Sequence, residues 1–300
     1  GQADLGSHWS LQWNRSTIQL VKGAEPLWGQ SPTVVTLIKM ISPQMIISES
    51  NQFVFIKGRK VAGTSVEVGL SSLCDHKDIL TPITPVDEAI RFRSAGLMAQ
   101  NYGADPKKLE AYQKTIRRIA EGSQQDQKKI IKPPGHYEGH MPFNKIENIY
   151  GPIPSNWTII GITRSPYEQA LSRIKHLADR EAIKKSSETK INTISDSFQK
   201  AKSFFIDRAS RKKLRLNIAL YKNTQNQLGP NFYLRHENLN NDYKKLLEHL
   251  GQPNASTLPH LKKASATKKL IAHDVFTRRE LNIINTCFEE EFQEFNYQII

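Results

Sequence analysis

Phe53-Val54-Phe55-Ile56-Lys57-Gly58-Arg59-Lys60-Val61-Ala62-Gly63-Thr64-Ser65 reads as a strand running into a glycine-bracketed basic loop. Four consecutive apolar residues, Phe53 to Ile56, suit a central strand of an α/β sheet buried on both faces. Val66, Leu70 and Leu73 then recur at helical spacing, which puts Thr64 and Ser65 at a helix start, where hydroxyls are favoured. Through Gly58, Gly63 and Ser65 the loop falls nearly in register with the nucleotide phosphate loop G-x-x-x-x-G-K-[ST]. It departs where an ATP-binding loop carries lysine after its second glycine. Thr64 stands there, and the lysine sits inside the loop at Lys60. Backbone N–H groups of such a loop, opening onto a helix N-terminus, form an anion cradle. The stretch fits a nucleotide phosphate, with its charge placed for a different transferred group.

A second strand–turn–helix lies a hundred residues on. Trp157 to Ile162 reads as another buried strand, ending in Thr163-Arg164-Ser165-Pro166. Ser165 suits the N-cap, Pro166 the first helical position, and Glu168 the far corner of a capping box. Ala170, Leu171, Ile174 and Leu177 form the apolar face of that helix, and Ser165, Gln169 and Ser172 lie on another. An arginine at the strand end and a serine hydroxyl beside it suit a phosphate, the fork supplying charge and the hydroxyl direction.

Together the two elements resemble the sulfotransferases that use 3′-phosphoadenosine 5′-phosphosulfate (PAPS). Lys60-Val61-Ala62-Gly63-Thr64-Ser65 is similar to their 5′-phosphosulfate loop. Arg164, Pro166 and Ser172 are similar to their 3′-phosphate motif, in which a serine follows the arginine by eight residues. Phe232 to Leu239 resembles a late strand of that fold, with an arginine and a glutamate before a helix. Lys262 to Tyr297 resembles its basic loop and closing helix. The loop is closest in style to glycan-directed members. The resemblance implies a three-layer α/β sandwich of P-loop type around a mostly parallel sheet, PAPS as co-substrate without a metal, and a hydroxylated, possibly anionic glycan as acceptor. It also implies a basic or acidic side chain that activates the acceptor hydroxyl. His140, in Gly139-His140-Met141-Pro142-Phe143, is the first choice, with Glu138 and His136 in reserve; Lys60 serves the leaving group. Two other readings are a P-loop kinase or NTPase with an irregular loop, and a non-enzymatic polyanion-binding protein.

Composition frames these readings. The 300 residues carry a formal net charge of +13, a field suited to steering a polyanionic cofactor or acceptor. Aromatic residues are not interleaved with the basic ones as on a base-stacking surface, which argues against a specific nucleic-acid binder. Cys74 and Cys287 show no metal-type spacing and read as free thiols. His136 and His140 are four apart, but prolines and glycines around them exclude the helix that a zinc pair would need. No run of about 18 apolar residues appears, so no membrane anchor is expected and a bacterial-type cytoplasmic setting is favoured over the Golgi lumen. Residues 1–45 lack clear periodicity and are expected to be a poorly structured extension, with a single domain over 46–300. Asp78 to Pro85 reads as a loop, Leu109 to Ala120 as a helix, Asp242 to Leu250 as a helix stopped by Gly251, and residues 180–215 as a charged helical lid. Thr277 to Glu280 opens a last helix burying Leu281, Ile284, Phe288 and Phe292.

Overall fold

A computed structural model of the chain describes residues 9–14, 17–22, 45–123, 130–137, 140–185, 194–255, 258–259 and 270–300. The chain divides into two compact units, Gly1–Met40 and Ile41–Ile300. In the first, β1 (Trp9–Asn14) and β2 (Thr17–Lys22) pair antiparallel, Trp9 opposite Lys22 and Asn14 opposite Thr17.

The second unit is α/β. Its sheet is open, with five strands in the order β5 (Ile79–Leu80), β3 (Met45–Ser48), β4 (Phe53–Ile56), β6 (Thr158–Thr163) and β7 (Phe232–Arg235). The pairs β4–β6 and β6–β7 are parallel, whereas β3 runs antiparallel to both β4 and β5. The sheet is therefore mixed, not mostly parallel as expected. The reason is local: β3 and β4 are consecutive, with Ser48 opposite Phe53, and a turn this short can only join antiparallel strands. Asp78 holds that turn, its carboxylate accepting from the Ser48 and Ser50 hydroxyls and from the N–H groups of Glu49, Ser50 and Asp75 at 2.7–3.3 Å. The stretch expected to be a loop from Asp78 contributes β5 as the edge strand.

Side chains along β3 and β4 alternate between two apolar faces, which is why both strands are buried throughout. Met45, Ile47, Val54 and Ile56 face one cluster with α2 (Pro85–Ala95), α3 (Pro106–Ala120), α4 (Phe143–Tyr150) and α7 (Ile218–Tyr221). Ile46, Phe53 and Phe55 face another, with α1 (Gly63–Ser71) and α8 (Leu239–His249). Helices thus cover both faces of the sheet. A third cluster joins α5 (Pro166–Lys185), α6 (Ile194–Ser210), α9 (Ala272–Val275), α10 (Arg278–Cys287) and α11 (Glu289–Glu294).

Several local expectations hold. Helix α3 covers Leu109 to Ala120, and α8 is followed by Gly251 at φ 70°. The capping box of Thr277 and Glu280 is formed at the start of α10. Leu281, Ile284, Phe288 and Phe292 are buried, although the helix breaks at Phe288 into α10 and α11. Residues 186–193, in the expected lid, and most of the basic loop after Lys262 lie outside the described residues. No helix among those described is long and apolar enough to cross a membrane.

Candidate functional site

The basic loop leaves the carboxyl end of β4, and Arg164 leaves the carboxyl end of its parallel neighbour β6. That edge is where open α/β sheets bind ligands. The loop's bracketing glycines are needed for close approach, not for left-handed backbone. A Cβ on Gly58 would come within 2.7 Å of the Tyr221 hydroxyl, and one on Gly63 within 2.6 Å of the Lys57 side chain. The left-handed positions fall instead on Lys60 (φ 62°) and Ala62 (φ 61°), residues for which that conformation costs energy and which mark functional sites more often than chance.

Ala62 is the N-cap of α1, with no side-chain cap and no acid in the first turn. Thr64 and Ser65 lie within that first turn and do not cap it. Thr64 Oγ1 accepts from Lys57 Nζ at 2.9 Å, and the Ser65 N–H donates to the Ala62 carbonyl at 3.1 Å. The N–H groups of Val61, Ala62, Gly63 and Thr64 have no acceptor among the described residues. Val61 anchors the loop, its side chain wholly buried.

Behind the loop lies a dry chain of charges. Lys57 Nζ sits 2.8 Å from Glu67 Oε2, Arg91 spans Glu67 and Glu88 at 3.2 Å each, and all four residues are buried. Burial pushes the Lys57 ammonium down and the Glu67 carboxyl up, each opposed by the other's charge. Lys132 faces the same cluster from the proline-rich stretch, and burial draws its ammonium down to about 8.

The two sequence motifs meet. Arg164 Nη1 donates to the Lys60 carbonyl at 2.9 Å, and its Nη2 lies 3.2 Å from Glu168 Oε2. The expected capping box is not formed: Glu168 turns to Arg164, and the Ser165 N–H donates to Glu237 Oε1 at 2.7 Å. Glu237 also accepts from the Tyr297 hydroxyl, so the strand-end glutamate of β7 and the C-terminal segment brace this corner. Ser172 lies about 9 Å further along the axis of α5 than Pro166. It is half-buried, and its hydroxyl makes no hydrogen bond among the described residues. Helical spacing alone relates it to Arg164.

His140 is brought to the loop. Its Nδ1 lies 2.9 Å from the Lys57 carbonyl, with the backbone left-handed at φ 48°. A carbonyl can only accept, so Nδ1 carries the proton and Nε2 keeps its lone pair. Burial, then the charges of Arg59, Lys57 and Arg173, draw the imidazole down to about 4, outweighing that hydrogen bond. His136 is exposed, against Gly103 on the outside of the fold. Glu138 lies outside the described residues. Among those described, no group of three potential ligands is placed to hold a metal, and both cysteines are free.

Four contributors were given no role from sequence. Asn217 clamps the loop by accepting from the Arg59 N–H at 2.7 Å and donating to the Arg59 carbonyl at 3.0 Å. Gln169 and Glu291 hold Asn217 in turn, through its side chain and its N–H. Arg173, beside the expected Ser172, adds its positive charge to the causes that lower Arg59 and His140. Only Gln169 had a signal, its position on the face of Ser165. The chain matches no family model, no curated protein and no solved structure.

Proposed function

We propose that this protein is a sulfotransferase that moves the sulfuryl group of PAPS to a hydroxyl of an acceptor, a glycan by the style of its loop. The observation that carries the reading is the 2.9 Å bond from Arg164 to the Lys60 carbonyl, which joins two motifs 104 residues apart. The residues present suit the donor's two anionic ends. Unbonded loop N–H groups at an uncapped helix start suit the 5′-phosphosulfate, and the Arg164 guanidinium, whose Nε is buried without a partner, suits the 3′-phosphate.

Bound there, PAPS supplies a sulfuryl group carried on a phosphate leaving group. Lys60 and the loop N–H groups stabilise the charge that grows on the bridging oxygen as the bond breaks. His140 takes the acceptor's hydroxyl proton at Nε2, while its Nδ1–H stays on the Lys57 carbonyl and fixes the ring. An anion bound at the loop counters the cations that depress the imidazole, so the ring becomes a stronger base with donor present than without it. Arg164 and Ser172 set the register by the 3′-phosphate, the group that separates PAPS from ATP.

The test is isothermal titration with 3′,5′-adenosine bisphosphate in EDTA, with ATP as competitor. Metal-free binding that requires the 3′-phosphate and is lost in Arg164→Ala is the expected result. No binding, or binding of ATP with Mg²⁺ alone, would replace this reading with the kinase one.

A further inference from the structure

Gln169 closes a circuit between the two motifs. Its Nε2 donates to the Arg164 carbonyl at 2.9 Å, a group that can only accept, and to Glu291 Oε2. Its Oε1 is therefore left to accept from Asn217 Nδ2 at 2.8 Å, which turns Asn217 Oδ1 to the Arg59 N–H. The second Nδ2 proton goes to the Arg59 carbonyl. Each N–H and each oxygen of the two side-chain amides has a partner, so their orientations fix one another. Glu291 Oε1 takes the N–H groups of Asn217 and Ile218 and pins the circuit to α7 and α11. Gln169, Asn217 and Glu291 are each no more than 2% exposed, where a satisfied polar network is stiff and a broken one costly.

The circuit runs from Arg59 through both amides to the Arg164 backbone, and returns through the Arg164 guanidinium to the Lys60 carbonyl. Lys60 stands inside it with both flanking peptides held, one by Asn217 and the other by Arg164. These bonds offset the cost of left-handed backbone at Lys60, φ 62°. They also fix the distance between the loop and Arg164, the two places that suit the anionic ends of the donor. A rigid ligand with two charged ends gains from the second end only where the two sites stand at its own spacing. We propose that Gln169 and Asn217 are positioning residues that set this spacing, so that the site reads a 3′,5′-bisphosphate as one unit and not as two separate phosphates. The proposal rests on the sulfotransferase reading for the ligand, and on the hydrogen-bonded circuit for the residues.

Gln169 is too buried to touch a ligand, so Gln169→Leu opens the circuit without removing a ligand contact. Titration in EDTA should show 3′,5′-adenosine bisphosphate weakened about tenfold and adenosine 5′-monophosphate by less than about threefold. In an Arg164→Ala background the same substitution should change bisphosphate affinity by less than about twofold. Equal weakening of both nucleotides, as a merely structural role would give, or no weakening of either, would overturn the proposal. Amide exchange on the wild type decides the matter even where the buried variant misfolds. The Arg59 N–H, closed by Asn217, should be protected before ligand is added, and bisphosphate should slow it by less than about threefold. An Arg59 amide that exchanges freely until bisphosphate binds would show that no circuit stands in advance, and would overturn the proposal. A wild-type protein that binds neither nucleotide would overturn the sulfotransferase reading, and with it the bisphosphate as ligand, while a protected Arg59 amide would still uphold the circuit.

Discussion

The imidazole of His140 is tied by Nδ1 to the carbonyl of Lys57, 83 residues earlier, at 2.9 Å. The residue that follows the loop-bearing strand therefore also sets the tautomer of the ring. Burial among cations draws that ring from 6.5 to about 4. Between these values the unfolded chain binds a proton that the folded protein refuses. Stability from this residue is thus complete above about pH 6.5 and is lost as the pH falls to about 4, a change of about 3 kcal/mol. Urea unfolding from pH 4 to 7.5 should show this slope in the wild type and a shallower one in His140→Gln. Equal slopes would remove the buried, neutral ring.

Lys60 and Arg164 meet through a backbone carbonyl but should separate kinetically. Lys60→Ala should reduce kcat tenfold or more with little change in bisphosphate affinity. Arg164→Ala should weaken bisphosphate at least tenfold, with a smaller effect on kcat at saturation. Titration and steady-state rates on both variants decide it, and matching effects would cancel the division of roles.

Glu67 is the hinge of the buried charge chain, since it faces both Lys57 and Arg91. Glu67→Ala strands the buried Lys57 ammonium, takes one of two carboxylates from Arg91 and should cost about 3–5 kcal/mol in denaturant unfolding. The double variant Lys57→Met/Glu67→Leu removes one cation with its partner and leaves Arg91 to Glu88, so it should cost less than Glu67→Ala alone. A simple sum of single-variant costs would contradict this.

Gly58 is fixed by the Tyr221 hydroxyl, which donates to the Ile162 carbonyl at 2.6 Å and accepts from the Ile162 N–H at 3.1 Å. That oxygen cannot retreat from a new methyl group. Gly58→Ala should cost about 1–3 kcal/mol by overpacking, and adding Tyr221→Phe should add less than its own single-variant cost. Thermal unfolding of the four-protein cycle measures the coupling.

What could be read in advance follows from what is local. The apolar run Phe53–Ile56, the helix start after it and the capping box at Thr277 are each set by residues within a few positions, and all three are present. The loop, Arg164 and His140 were singled out by residue type and spacing, and the structure brings these three together. The direction of β3 was not, because Met45–Ser48 has the same apolar pattern whichever way it runs. Glu168 illustrates competition: the spacing fits a capping box, but a guanidinium one turn away is the stronger partner for a carboxylate. Asn217 and Arg173 were invisible for another reason. Their partner Arg59 is more than a hundred residues distant, and no periodicity reports a contact of that range.

The antiparallel start of the sheet also has a temporal meaning. β3 and β4 meet across one short turn, a closure that takes microseconds, whereas β6 and β7 must be recruited from residues 158 and 232. Amide protection during refolding should accordingly appear in Ile46 and Val54 before Ile162 and Leu234. A nascent chain that has reached residue 65 already owns the loop, yet it lacks the arginine that grips the loop's carbonyl and the asparagine that clamps its peptide. On the proposed reading, anion capture therefore waits for Arg164 and Asn217, and so follows the joining of β6 to the sheet.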